Sequence, residues 1–354
     1  MSGGIERTDG FDEGFPTSQF EHDSELIRTG APVVDAVSLG EVIVTAHGDG
    51  RLRFFGGSRS PMVCSVHDGV ILSVARSGPD RVVTGGEDGG FRETSADGTI
   101  TPIADLGRRW VDCVAAHPGS GHKACSVGGK VSVWTASSSP PAVLEHPSTV
   151  AGLTFDPTGE RLAVAHYGGV TLWTRGARDW RSDRLEWAGS HISVAWSPDG
   201  AYVVTAMQEN ALHGWRLRDS LHMAMSGYPA KPRASAWVGS RPYLATSGAD
   251  QIVAWPFDGE EGPMGRMPLA VNYAGLAKVS AVSALPGTSV VFAGLQDGAV
   301  LISDLELGPQ SIVLRGTTGD EVTAVAATPT LSHLLIGDSG GTVLWGSLQG
   351  MTSN

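Results

Sequence analysis

A unit of about forty residues is repeated eight times along this chain, and that repetition constrains the fold more than any single residue does. Each copy carries an apolar strand, a turn rich in Asp, Pro and Gly, a second strand ending in small residues, a Gly-rich turn, and a third strand that often bears Trp. Val150 to Trp173 is the cleanest copy. The first strands begin near Val33, Ile71, Val111, Val150, Ile192, Ala234, Val279 and Val322, at spacings of 38, 40, 39, 42, 42, 45 and 43 residues. The second strands read VIVTAHGDG, RVVTGGEDGG, YVVTAMQEN, YLATSGADQ, VVFAGLQDG and LLIGDSGG, β-branched runs that close on Ala or Gly before a tight acidic turn.

A period near forty residues with four strands per unit predicts an all-β chain folded as a single β-propeller. On these motifs the chain resembles the WD40 repeat family over nearly its whole length. It departs from the family where Trp-Asp usually ends the third strand: here stand Trp134-Thr135, Trp173-Thr174, Trp215-Arg216, Trp255-Pro256 and Trp345-Gly346. The family's His/Asp turn network carries over to His67 with Asp88. The resemblance implies eight four-stranded blades, or seven if the copy ending at Phe54-Phe55 or the one with the polar strand Phe91 to Thr94 fails to form. The last copy lacks a fourth strand of its own, and Ser24 to Arg28 is placed to supply it and close the ring, removing exposed sheet edges. Residues 1–17 are expected to be a disordered tail, 18–348 the propeller and 349–354 a C-terminal tail.

With 25 basic and 37 acidic side chains the net charge is −12, which repels nucleic acid and anionic lipid. One local concentration of cations, Arg175, Arg178, Arg181 and Arg184, flanks Trp180. Cys64, Cys113 and Cys125 form no close-spaced motif and read as buried thiols. The start MSGGIERTDG has no basic region followed by an apolar stretch, so no secretory leader is expected there, and no apolar run is long enough to span a bilayer. The expectation is a cytoplasmic, bacterial, monomeric protein.

Propeller geometry sorts the loops into two faces. The turns between second and third strands share a face with the links that enter each first strand. That face gathers His47, His67, His146, His166 and His191, with Arg109, Trp110, Tyr167 and Tyr228 beside them. The other face is built from ordinary turn sequences such as SPDG and DPTGE. Rigid aromatic and Arg side chains are the usual anchors of protein binding. The expected function is therefore a non-enzymatic scaffold that binds a protein or peptide on the face of blades three to six, through Trp110, Tyr167, His191, Gln208, Glu209, Asn210, His213, Tyr228 and Lys231. Asn210 has a structural reading as well, since Asn tolerates a left-handed turn.

The alternative is a zinc-binding or metal-handling protein using His146, His166 and His191, which come from adjacent blades on one face. The chain also looks like bacterial WD-repeat proteins found near zinc-handling GTPases. Catalysis has no support: there is no phosphate-binding GxxxxGK[ST] loop, no HExxH and no GxSxG. The first strands, expected to line the channel, are mostly small and apolar, with Asp35 and Asp112 as their acids.

Overall fold

The computed structural model describes residues 14–56, 60–135, 140–177, 179–271, 275–285, 287–308 and 310–349. Its strands form a single all-β propeller of seven blades, six with four antiparallel strands and one with six. In each blade the apolar first strand lies innermost, and the innermost strands of neighbouring repeats touch around the ring, as Val33–Leu39 does with Ile71–Arg76 on one side and Val322–Ala327 on the other.

The expectation of eight blades is corrected here. The two copies with weak third strands each build a complete sheet, Val33–Leu39 through Met62–Ser65 and Ile71–Arg76 through Ile100–Asp105. The difference arises between copies four and five. The strand Arg161–Arg175 doubles back through Tyr167, Gly168 and Gly169, so that Arg175 N–H donates to Glu160 O at 2.9 Å. Gly169 has φ +139°, and a Cβ there would run into Leu185 O. Trp180–Trp196 then pairs through 180–186 with one neighbour and through 191–196 with Tyr202–Met207. Because this one strand ends copy four and begins copy five, their pairing is continuous and the two copies share a six-stranded sheet. Repeats keep their sequence numbers below.

Burial explains why the second strands read as unbroken apolar runs. Val42–His47, Arg81–Gly86 and Tyr202–Met207 are buried along almost their whole length, because each is covered on both faces by neighbouring sheets. The core is thus a ring of seams between repeats. Leu52 and Phe54 of the first repeat meet Ile71 and Val82 of the second. Phe292 and Val300 of the seventh meet Leu334 and Ile336 of the eighth, and Ile43 and Phe55 meet Leu335 and Val343 where the eighth meets the first. Each fully buried Leu or Ile contributes about 1.5–3 kcal/mol.

Six first strands share one irregularity, a register shift just after their first residue. The extra residue bends the strand and frees a side chain. In two of them that side chain reaches the next repeat: Ser280 Oγ donates to Val322 O and Thr323 Oγ1 to Val33 O, each at 2.7 Å. Glu25–Arg28 pairs antiparallel with the last strand, Glu25 opposite Trp345 and Arg28 opposite Thr342, so both ends of the chain lie in one sheet. Ahead of it a helical turn, Gln19–Asp23, is capped by Ser18 and buries Phe20. Within the stretch expected to be a tail, Phe15 N–H donates to Thr317 Oγ1 at 2.9 Å, and residues 1–13 lie outside the described residues. Cys64, Cys113 and Cys125 are free thiols, and burial pushes Cys113 up to about 11 and Cys125 to about 12.

Candidate interaction face

The face with the histidines has two layers, and the lower one is a set of buried polar girders. The fourth position of the second strand is Thr in four repeats, Thr45, Thr84, Thr205 and Thr246, none with any exposed surface. A buried hydroxyl needs a partner. In the second repeat it donates to His67 Nε2 at 2.8 Å, and His67 Nδ1–H donates to Asp88 Oδ1 at 2.8 Å. Burial pulls the imidazole below its ordinary value, against the Asp88 carboxylate. Burial also works against Asp88, but bonds from His67, Gly90 and Asp68 hold it well below the usual carboxylate range.

The other repeats solve the same problem with different residues. Thr45 meets His47 Nε2 at 2.7 Å, and Thr205 meets His191 Nδ1 at 2.7 Å while His191 Nε2–H donates to Trp187 O at 3.0 Å. In the sixth repeat a phenol replaces the imidazole: Tyr228 OH bonds Thr246 Oγ1 and accepts from Trp255 Nε1–H, both at 2.7 Å. The eighth repeat uses an ion pair, Arg315 to Asp338 at 2.7 Å, with the two side chains 3% and 0% exposed. The Thr at a fixed place in the second strand is the sequence signal for this layer, more so than the histidines themselves.

Three residues expected on the binding surface belong to this lower layer instead. His191 is fully enclosed and Tyr228 is 7% exposed. His213 is also enclosed; it stacks on Trp187 with ring centroids 4.0 Å apart, and neither ring nitrogen has a partner. Burial, with His222 and His191 nearby, pushes His213 down to about 3.

The histidines proposed as metal ligands have their nitrogens committed elsewhere. His146 donates from Nδ1 to Gly129 O at 3.3 Å and accepts at Nε2 from Trp173 Nε1–H at 2.9 Å. His166 donates to Tyr167 O at 2.9 Å and accepts from Thr171 at 2.8 Å. A neutral imidazole has one lone pair to give a metal, and in His146, His166 and His191 that lone pair faces a protein donor. Although His146 and His166 are neighbours, with centroids 5.9 Å apart, no group of three or more His, Cys, Asp or Glu among the described residues is placed to hold a metal ion.

The upper layer is what a partner would meet. Trp110 is 58% exposed and Tyr167 is 67% exposed. Trp110 stands over a hollow of about 440 Å³ with Arg109, Asp112 and the turn Val127 to Lys130. Glu209 accepts from Ser190 N–H at 3.0 Å, Lys231 donates to Gln208 Oε1 at 3.1 Å, and Asn210 occupies the left-handed region at φ +55°. Gln208, Asn210 and Lys231 also border a second hollow of about 320 Å³, which Arg233 and Lys278 complete; Lys278 carried no weight in the sequence reading.

On the opposite face a hollow of about 540 Å³ lies between Arg161, Tyr202, Arg216, Arg218 and Glu260. Its arginines are engaged, Arg216 with Asp219 at 2.8 Å and Glu261 at 3.0 Å, and Arg161 with Asp156 at 2.9 Å. Trp180, flanked in sequence by arginines, is half-buried against the seam of repeats three and four, and Arg178 lies outside the described residues. Among the described residues no helix is long and apolar enough to cross a membrane.

No protein-family model matches the chain. Among curated proteins it is similar to the chromatin assembly factor 1 subunit FAS2 homolog of Oryza sativa subsp. japonica, 29% identical over 114 residues, which is 30% of this chain and 23% of that protein. The matched part is therefore less than a quarter of that relative's length. Among solved structures it is similar to the crystal structure of the computationally designed Ika8 protein, with a TM-score of 0.69 and 16% identity, covering 91% of this chain and 98% of the other. That likeness concerns the fold alone. Repeat pattern, ring of sheets and the buried His67, Thr84 and Asp88 arrangement together make this chain a β-propeller of WD40-like character.

Proposed function

We propose that this propeller is a non-enzymatic scaffold that binds a protein or peptide partner on the face carrying repeats three to six. The observation that carries the reading is the pair of exposed aromatics, Trp110 and Tyr167, held on links and turns of a rigid ring and free of structural duty. Large aromatics so exposed lose little entropy when a partner covers them, because the backbone beneath is already ordered. Gln208, Glu209, Asn210 and Lys231 supply a polar rim, while His191, His213 and Tyr228 hold the surface from below. The rice relative's name describes a subunit of an assembly factor, in line with a partner-binding role.

The test uses the full chain as bait in crosslinked capture from its source cells, comparing wild type, the double variant Trp110→Ala/Tyr167→Ala and a far-face control, Arg218→Ala. A partner recovered by wild type and control and lost from the double variant, with all three melting alike, supports the reading. Equal recovery by all three would sink it.

A further inference from the structure

The hollow across repeats five to eight is cationic in a chain whose net charge is −12. Lys231, Arg233 and Lys278 line it on the links that enter the first strands of repeats six and seven, and the amides of Gln208, Asn210 and Gln296 stand around them. Elsewhere many cations are paired, as Arg53 is with Asp49 at 2.7 Å, Lys123 with Glu93 at 3.0 Å and Arg315 with Asp338 at 2.7 Å. Among the described residues none of the three cations of the hollow forms an ion pair; Lys231 has only the Gln208 amide, and Glu321 is the sole acid on the lining.

We infer that this hollow binds the anionic side chains of an extended acidic peptide. The inference rests on the docking face proposed above and gives that partner its chemistry. Three unpaired cations bordering one hollow offer an anion charge-assisted hydrogen bonds from more than one side. Flanking amides offer both donors and acceptors, so the peptide backbone between two anionic groups finds partners as well. Asp or Glu carboxylates and phosphoserine share this chemistry, and the experiment separates them.

The full-length protein is titrated into three fluorescein-labelled peptides, one alternating Glu and Ser, one alternating phosphoserine and Gln, and one alternating Gln and Ser, with anisotropy as the readout. At least one anionic peptide is expected to bind and the neutral one not. The double variant Lys231→Glu/Lys278→Glu should weaken that binding by about tenfold or more, because like charges then face the ligand, while Arg218→Glu on the far face leaves it unchanged. Binding should also weaken as salt rises through the range that screens exposed charges. Preference for the Glu peptide assigns carboxylates and preference for the phosphoserine peptide assigns phosphate. No anionic peptide bound at low salt, or equal binding by Lys231→Glu/Lys278→Glu and wild type, overturns the inference. If that variant still captures the partner that Trp110→Ala/Tyr167→Ala loses, the docking face stands and the cationic hollow does not. All the altered side chains lie at the surface, so melting curves serve as the check that the ring is intact.

Discussion

The two layers of one face differ in a way that sequence alone hides. In the lower layer His67, His191 and Tyr228 are enclosed and bonded to Thr or Asp partners of neighbouring strands. In the upper layer Trp110 and Tyr167 present most of their surface to solvent. Both sets are large, polar-tipped side chains on the same turns and links, and both look like binding residues when only their type is known. What separates them is whether a buried donor or acceptor depends on them. A histidine that answers a buried Thr cannot be removed without breaking a buried hydrogen bond, whereas an exposed Trp leaves nothing unsatisfied.

The comparison can be broken first at the lower layer's strongest member. Arg315→Met leaves the Asp338 carboxylate buried without its cation, and breaking such a pair costs about 3–5 kcal/mol. Chemical denaturation should show that loss, and a variant within experimental error of wild type would remove the ion pair from the set of girders. A smaller effect is expected for Tyr228→Phe, which strands Trp255 Nε1–H at about 1–3 kcal/mol while the Thr246 hydroxyl keeps its bond to Val253 O at 2.9 Å. The same range applies to His191→Ala and His166→Ala, and it should not change when zinc is added, since neither ring has a nitrogen to spare for a metal. A melting rise with zinc that either variant abolishes would return these residues to the upper layer's kind of role.

Proton linkage sharpens the same contrast. Burial holds His47 and His146 at about 4 and His213 at about 3, all below the unfolded value of 6.5. Above 6.5 both states are neutral and the full stability is present. As pH falls from 6.5 toward 4 the unfolded chain takes up protons that these folded imidazoles refuse, so stability is lost at up to about 1.4 kcal/mol per pH unit for each group. Burial lowers His67 and His191 in the same sense, while Asp35 has its side chain exposed to solvent and offsets little of this. These imidazoles predict a net fall in stability from pH 6.5 to about 4.5, measured by urea unfolding at steps between. His213→Phe should flatten that slope and raise stability at neutral pH by about 1 kcal/mol, because it removes two buried nitrogens that have no partner. An unchanged slope in this variant would mean that His213 is not kept neutral.

Periodicity made the strands and their order legible. Val or Ile at the start of nearly every copy and the second strands closing on Ala or Gly give the propeller, because alternation and turn chemistry are local properties of the chain. The number of blades was not legible, since it depends on whether pairing breaks between Trp180 and Trp196, and nothing in WRSDRLEWAGSHISVAW marks a stop such as Pro. The site was legible only in part for a related reason. Which of two aromatic residues on a loop faces outward depends on partners tens of residues away, as Tyr228 depends on Trp255 and Thr246. Lys278 could have been found by asking which cations of an acidic chain fall on links of adjacent repeats, since Lys231 and Arg233 enter the sixth first strand as Lys278 enters the seventh.

The smallest effect on the fold belongs to the upper layer, and there the absence of an effect is informative. Trp110→Ala and Tyr167→Ala remove side chains that are 58% and 67% exposed, so unfolding free energies should stay within about 0.5 kcal/mol of wild type. Partner affinity should nevertheless fall by about 2 kcal/mol or more for a true anchor. Lower-layer variants should show the reverse order, with melting lowered first and binding lost only as the ring loosens. A Trp110→Ala protein that melts early would place Trp110 among the girders, and the face would then need its anchor sought in the cationic hollow at Lys231 and Lys278.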